Sequence, residues 1–393
     1  MQFLQFFIWG SWLISFGPYM GERGMGDRIG TLLASMGIAS LIMPAIVGII
    51  ADRWLNSEKL LGILHFLGAC CLFMASKATG FNELYLCMFL NALVFMPTIG
   101  LSYSVCYSIM ASRQMDAVKV FPPIRTWGTV GFVIAMWIVD LAGWSTGSNQ
   151  LVLASASALV LSVYAFTLPP SPPTKVRKGS SLISILGLDA VVLLKNRKMA
   201  IFFLFAILLG ICLQITNSYG GRFLGSFGTA YPDSFVVKHG NILLSVSQIS
   251  EALFILAIPF FMRRFGIKTV MLMSLAAWVL RFGLFGIGNP GSGLVWLILS
   301  MIVYGMAFDF FNISGSLFIE KETPPKFRAS AQGMLMMVTN GLGAILGNYG
   351  AQAIINHNTS DDVTNWPVCW FIFAGYALVV GILFALCFQY KEN

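Results

Sequence analysis

Charge is what this chain has least of. Asp, Glu, Lys and Arg make up 10% of its 393 residues, against about 25% in an ordinary soluble domain. A water-soluble fold of this size could not solvate its surface with so few, and 57% of the positions are hydrophobic. The 24 Lys and Arg give a formal net charge of +8, but they are scattered between apolar runs. A phosphate-binding surface needs cations gathered on one solvated face, so nucleic acid is excluded as a partner. The seven cysteines, at 70, 71, 87, 106, 212, 369 and 387, show no C-x-x-C spacing and fall inside apolar segments. They read as small buried hydrophobes and imply no disulfide framework, metal or redox cofactor. There is no H-E-x-x-H, no G-x-S-x-G and no nucleophile spaced from a base, which argues against an enzyme. The start, Met1-Gln2-Phe3-Leu4, lacks the basic region of a secretory signal and no small-residue cleavage site follows, so the first apolar run is expected to be retained as a helix.

What is present in abundance is apolar sequence in lengths of about 20 residues, enough for a helix to cross a hydrocarbon core of about 30 Å. Twelve spans are expected, at 3–20, 29–51, 60–76, 84–110, 124–144, 149–168, 199–219, 240–262, 268–288, 292–317, 329–356 and 366–388. The segment opening Pro169-Pro170-Ser171-Pro172-Pro173 is too polar and Pro-rich to cross. It divides the chain into residues 1–168, a six-helix half, a cytoplasmic linker over 169–198, and a second six-helix half over 199–393. Leu182 to Leu194 within the linker reads as a short amphipathic helix at the interface. With the N-terminus inside, cytoplasmic segments carry 17 Lys and Arg and outer loops 5. That asymmetry predicts both termini in the cytoplasm.

The halves echo each other. Phe121-Pro122-Pro123-Ile124-Arg125 precedes the fifth span and Thr323-Pro324-Pro325-Lys326-Phe327-Arg328 precedes the eleventh. Gly48-x-x-x-Asp52-Arg53 follows the second span, and Arg263-Arg264-Phe265-Gly266-Ile267-Lys268 follows the eighth. Such repeats suit two parallel halves related by an axis along the membrane normal. The Gly48-to-Arg53 segment resembles the loop signature of the major facilitator superfamily. Replacing Asp52 by Asn is expected to alter transport rate more than affinity.

An ionisable side chain in hydrocarbon costs at least a few kcal/mol, so each one marks a partner or a watery cavity. The candidates are Arg125, Asp140, Glu251, Arg281, Asp309 and, less strongly, His65. Gln248 and Glu251 share one helix face, as do Gln214 and Asn217. Arg125, Thr129 and Phe132 form an i, i+4, i+7 stripe offering a cation, a hydroxyl and an aromatic. A flat polar solute suits such a set, because rings stack and amides satisfy hydroxyls and base edges. A carboxylate at this depth could exchange protons as access switches sides. Glu251 is the preferred coupling group and Asp309 the second. Arg281 is expected to neutralise one of them, Asp140 to lie at the outer interface, and His65 to be a peripheral packed side chain. Gln214, Asn217 and Gln248 also have a structural reading as interhelical hydrogen-bonding residues.

Four motifs taken in order, Phe121-Pro-Pro-Ile-Arg125-Thr-Trp-Gly-Thr129-Val-Gly-Phe132, Leu213-Gln214-Ile-Thr-Asn217, Ser247-Gln248-Ile-Ser-Glu251 and Tyr304-Gly-Met-Ala-Phe308-Asp309-Phe-Phe-Asn312, resemble the bacterial nucleoside:proton symporters. The similarity extends from Phe7-Ile-Trp9-Gly-Ser-Trp12 to Phe373-Ala-Gly-Tyr376. It implies an all-α major facilitator fold in a bacterial inner membrane and proton-driven import of nucleosides such as uridine, adenosine or xanthosine. It also implies a central site between the halves, with Arg125, Thr129, Phe132, Gln214, Asn217, Gln248, Glu251, Tyr304 and Phe308 around the nucleoside and Glu251 and Asp309 coupling protons. The segment Gly21 to Gly30 is short and Gly-rich for such a family. A carrier of sugars or other small polar solutes is the alternative.

Overall fold

The computed structural model describes residues 1–173, 188–324 and 327–390. The chain is helical almost throughout and divides into two compact units, one of residues 1–26 and 35–186, the other of residues 27–34 and 187–393.

In the first unit, the first span is interrupted. Helix α1 (Gln2–Gly10) and helix α2 (Phe16–Glu22) are separated by turns over 11–15. Ser11 returns its hydroxyl to the Phe7 carbonyl at 2.8 Å, a bond that loosens and bends helices, and Ser15 donates to Gln150 at 2.7 Å. There follow α3 (Ile29–Arg53), α4 (Ser57–Lys77), α5 (Phe81–Ser112), α6 (Ala117–Leu141) and α7 (Asn149–Ala165). The Pro122-Pro123 segment, read from sequence as a loop, lies inside α6. Pro122 and Pro123 are the sixth and seventh residues of α6 and each forgoes one backbone hydrogen bond of its opening turns. Helix α1 packs on α6 at backbone distance: a Cβ on Gly131 would stand 2.2 Å from the Phe3 carbonyl oxygen.

The second unit contains α8 (Arg197–Gly225), α9 (Phe235–Lys238), α10 (Gly240–Ile287), α11 (Leu294–Glu322), α12 (Arg328–Met337), α13 (Gly343–His357) and α14 (Trp366–Cys387). The eighth and ninth spans are the two arms of α10, which reverse at Gly266 with φ 73° and ψ 170°. That conformation costs a side-chain-bearing residue dearly and glycine little. A π-helical turn over Val338–Leu342 joins α12 to α13 within the eleventh span. A two-residue antiparallel ribbon pairs Thr359 with Thr364 and Ser360 with Val363; its turn residues Asp361 and Asp362 have φ of 49° and 62°, as a type I′ turn requires.

The opening of α3 packs with this unit. Thr31 donates its backbone N–H to Gln352 Oε1 at 2.7 Å, and Asn356 donates to the Asp27 carbonyl at 2.8 Å. Trp366, Trp370, Phe223, Phe282 and Phe285 form an aromatic core beneath α14.

The amphipathic helix expected over Leu182 to Leu194 is seen only from residue 188, where Leu188–Lys195 winds as a tighter 3-10 helix; 182–187 lie outside the described residues, as do Pro325 and Lys326 of the second Pro-Pro motif. Among the described residues, eight helices are individually long and apolar enough to span a bilayer. The other expected spans are accounted for by the broken first, the short α7, the second arm of α10 and the interrupted eleventh, so the twelve-span, all-α expectation holds.

Candidate functional site

In the first unit the stripe on α6 is intact. The Arg125 guanidinium carbon stands 4.2 Å from the Phe6 ring centre and 5.9 Å from that of Tyr103. A planar cation set between two rings has its orientation restricted, which a flexible ammonium would not. Thr129 is half-buried one turn further along. Phe132 is 7% exposed and meets Trp9 edge-on at 6.3 Å and 84°. Trp9 lies in turn 5.9 Å from Phe95.

Behind these rings runs a buried polar chain. Gln5 donates to Thr98 Oγ1 at 2.8 Å, Thr98 donates to the Phe95 carbonyl at 2.6 Å, and His65 Nε2 meets Gln5 Oε1 at 2.8 Å. Since the Gln5 amide nitrogen is committed to Thr98, His65 Nε2 is the donor to Gln5 Oε1. His65 is therefore packed, as expected, but not peripheral. It bridges α4, α1 and α5. The signal for Gln5 lay in Gln2 and Gln5, three apart on one face of an otherwise apolar run; Phe6 and Tyr103, the partners of Arg125, gave none.

The second unit gathers most of the remaining candidates around Tyr304. This side chain is 3% exposed and lies within electrostatic reach of Gln248, Glu251, Asp309 and Arg281. Phe308 stacks beside it at 6.4 Å and 20°, and Trp278 meets it edge-on at 6.0 Å. The helices can approach this closely because position 305 is glycine: a Cβ there would stand 2.6 Å from the Ser250 carbonyl oxygen. Ser250 donates to the Ile302 carbonyl and Ser274 to the Ala307 carbonyl at 2.5 Å. Small residues and hydroxyls are how helices associate where no hydrophobic force separates them from lipid. Gln214 and Asn217 are half-buried on α8, beside Ser218, whose hydroxyl bonds Asn348 of α13 at 2.5 Å.

Asp140, expected at the interface, is 5% exposed near the end of α6; the fold covers it where the sequence position suggested water. Among the described residues no group of His, Cys, Asp and Glu is arranged to hold a metal.

A family model described as nucleoside H+ symporter matches residues 1–393. The xanthosine permease of Escherichia coli K12 is 51% identical, the match covering 100% of this chain and 95% of that protein. The nucleoside permease NupG of the same organism is 48% identical, with the same coverage. A crystal structure of the nucleoside transporter NupG superposes with a TM-score of 0.93 over 99% of this chain and 98% of that one, at 48% identity. A bacterial homolog of the lysosomal transporter Spinster reaches a TM-score of 0.68 at 13% identity, covering 98% of this chain and 93% of that one, a likeness of fold alone.

Proposed function

This chain belongs to the nucleoside H+ symporter family, and from that premise we propose that it imports nucleosides with protons, exposing one binding site alternately to the two sides of the membrane. It is a multi-pass membrane transporter and not an enzyme. The observation that carries the reading is the Tyr304 cluster: an aromatic hydroxyl, an amide, two carboxylates and an arginine brought together in a helix pair otherwise built for lipid. Nothing but a polar cargo or a moving proton repays such a concentration of desolvated groups.

On this reading Arg125, Thr129 and Phe132 of the first unit contact the nucleoside, as do Gln214, Asn217, Gln248, Glu251, Tyr304 and Phe308 of the second. Phe132 and Phe308 supply ring faces for the base, and the amides and Arg125 supply donors for ribose hydroxyls and base edges. Glu251 and Asp309 exchange the coupled proton. The two bundles, 1–168 and 199–393, act as the moving bodies, linked through 169–198. Uridine, adenosine and xanthosine represent the substrate class. Exposed side chains such as Leu256 and Leu386 (77% and 68% exposed) face lipid acyl chains. On this reading the protein lies in a bacterial inner membrane with both termini in the cytoplasm, an orientation that the Lys/Arg asymmetry supports.

The test is uptake of radiolabelled uridine into proteoliposomes with and without an inward-acid pH gradient, for wild type and Glu251→Gln. Concentrative uptake by wild type, reduced to non-concentrative exchange in the variant, is expected. Concentrative uptake undiminished in Glu251→Gln shifts coupling to Asp309; competition by simple sugars in place of nucleosides, or no uridine flux, overturns the substrate reading.

A further inference from the structure

Arg281, on the second arm of α10, is 1% exposed. Its Nε and Nη1 are closed off from solvent with no hydrogen-bond partner among the described residues. Its guanidinium meets two rings: the carbon stands over Phe285 at 4.4 Å from the centroid and over Tyr304 at 5.1 Å. A desolvated cation gains from a ring face, but less than burying the ion costs, and an apolar side chain of similar volume in such a place is often neutral or stabilising. Stability therefore gives no reason for an arginine here, on an arm that otherwise buries Trp278, Phe282 and Phe285.

The two rings are not equivalent. Phe285 continues into the aromatic core, 5.2 Å from Phe223 and 5.0 Å from Trp370, where a charge has no polar group to act upon. Tyr304 carries a hydroxyl, and the packing around it holds its ring against the guanidinium. Ser300, one turn before Tyr304 on α11, donates to the Arg281 carbonyl at 2.7 Å, which fixes the register of the two helices. Trp278, on the same arm as Arg281, meets Tyr304 edge-on at 6.0 Å and 84°, and Phe308 stacks beside it at 6.4 Å. Two aromatic side chains confine the ring, and the cation lies over its face.

We propose that Arg281 is a positioning residue for nucleoside binding that acts through Tyr304, holding its ring and strengthening its hydroxyl as a hydrogen-bond donor. The inference rests on the reading of Tyr304 as a substrate contact. A cation over the face of a phenol draws the ring electrons toward itself and leaves the hydroxyl proton more positive. In a desolvated site that effect is little screened. Hydrogen bonds assisted by charge are about twice as strong as neutral ones. A nucleoside offers acceptors in its base carbonyls and ribose oxygens, and a hydroxyl polarised in this way binds them more tightly. Arg281 itself stays buried, so its influence reaches the substrate only through the phenol.

A double-mutant cycle gives the test, with the Kd for uridine read by calorimetry on the purified full-length protein. Arg281→Met is expected to raise Kd about tenfold. Its melting temperature in detergent is expected to stay level or rise, which a residue needed only for packing would not show. Tyr304→Phe keeps the ring and removes the hydroxyl, and in that background Arg281→Met is expected to change Kd by less than about twofold. Arg281→Lys keeps a cation without the planar stacking and is expected to raise Kd only about threefold. Compared in the same two backgrounds, it carries the test should Arg281→Met fail to fold. A wild-type Kd in Arg281→Met, or a Kd that rises by the same factor with and without the Tyr304 hydroxyl for either variant, overturns the inference. The underlying reading fails separately, if Tyr304→Phe alone binds uridine like wild type.

Discussion

Arg125 is defined by its geometry as much as by its charge. Its guanidinium lies over Phe6 and beside Tyr103, and a lysine keeps the charge while losing the planar stacking. Arg125→Lys is therefore expected to raise the KM for uridine about tenfold or more, corresponding to about 1.4 kcal/mol of lost interaction, with a smaller change in maximal rate; initial-rate uptake at graded uridine concentrations reads this directly. Gln5 is the opposite kind of residue. It touches none of the proposed substrate contacts, yet Gln5→Leu strands His65 Nε2, which meets Gln5 at 2.8 Å, and takes a donor from Thr98, which keeps its bond to the Phe95 carbonyl. Orphaned buried polar groups cost about 1–3 kcal/mol each. A lower melting temperature in detergent is expected, with the pH dependence of transport unmoved, because the chain ends at the Phe95 carbonyl and carries no proton onward.

At the scale of elements, the helix pairs behind both candidate clusters depend on backbone contact. Gly131 and Gly305 leave no space for a side chain, with Cβ positions 2.2 Å and 2.6 Å from a carbonyl oxygen of the facing helix. Overpacking of this kind costs about 1–3 kcal/mol. Gly305→Val is expected to reduce thermal stability and uptake together, since it pushes α11 away from α10 beside Glu251. The reversal within α10 is a separate matter: Gly266→Ala meets backbone strain at φ 73° and ψ 170°, worth about 1–3 kcal/mol, and is expected to destabilise without changing KM. The element boundaries were only partly legible in the sequence. Length and hydropathy located every span, but the break after Gly10, where Ser11 bonds the Phe7 carbonyl, the helical Pro122-Pro123 segment and the π turn at Val338–Leu342 are matters of local backbone geometry, which hydropathy does not register.

For the whole molecule, the consequence is thermodynamic. A carrier that moves one proton with each nucleoside converts each unit of pH difference into about 1.4 kcal/mol, or about a tenfold concentration ratio. Reversing the gradient in preloaded proteoliposomes is expected to reverse net uridine flux; accumulation that ignores the gradient's direction would rule out proton symport.

The order of the apolar runs, the linker rich in proline and cation, and the polar stripes at helical spacing were determined by the sequence alone, because a bilayer forces backbone bonds to close within each span and penalises every charge left inside it. That Arg125, Thr129 and Phe132 share a face followed from periodicity. What surrounds each of them did not. The stacking of Arg125 on Phe6, the bridge from His65 through Gln5 to Thr98, the burial of Asp140 and the placing of Arg281 beside the Tyr304 cluster join residues that are far apart along the chain, or on different helices. Periodicity states which residues share a helix face, and only packing decides which faces meet.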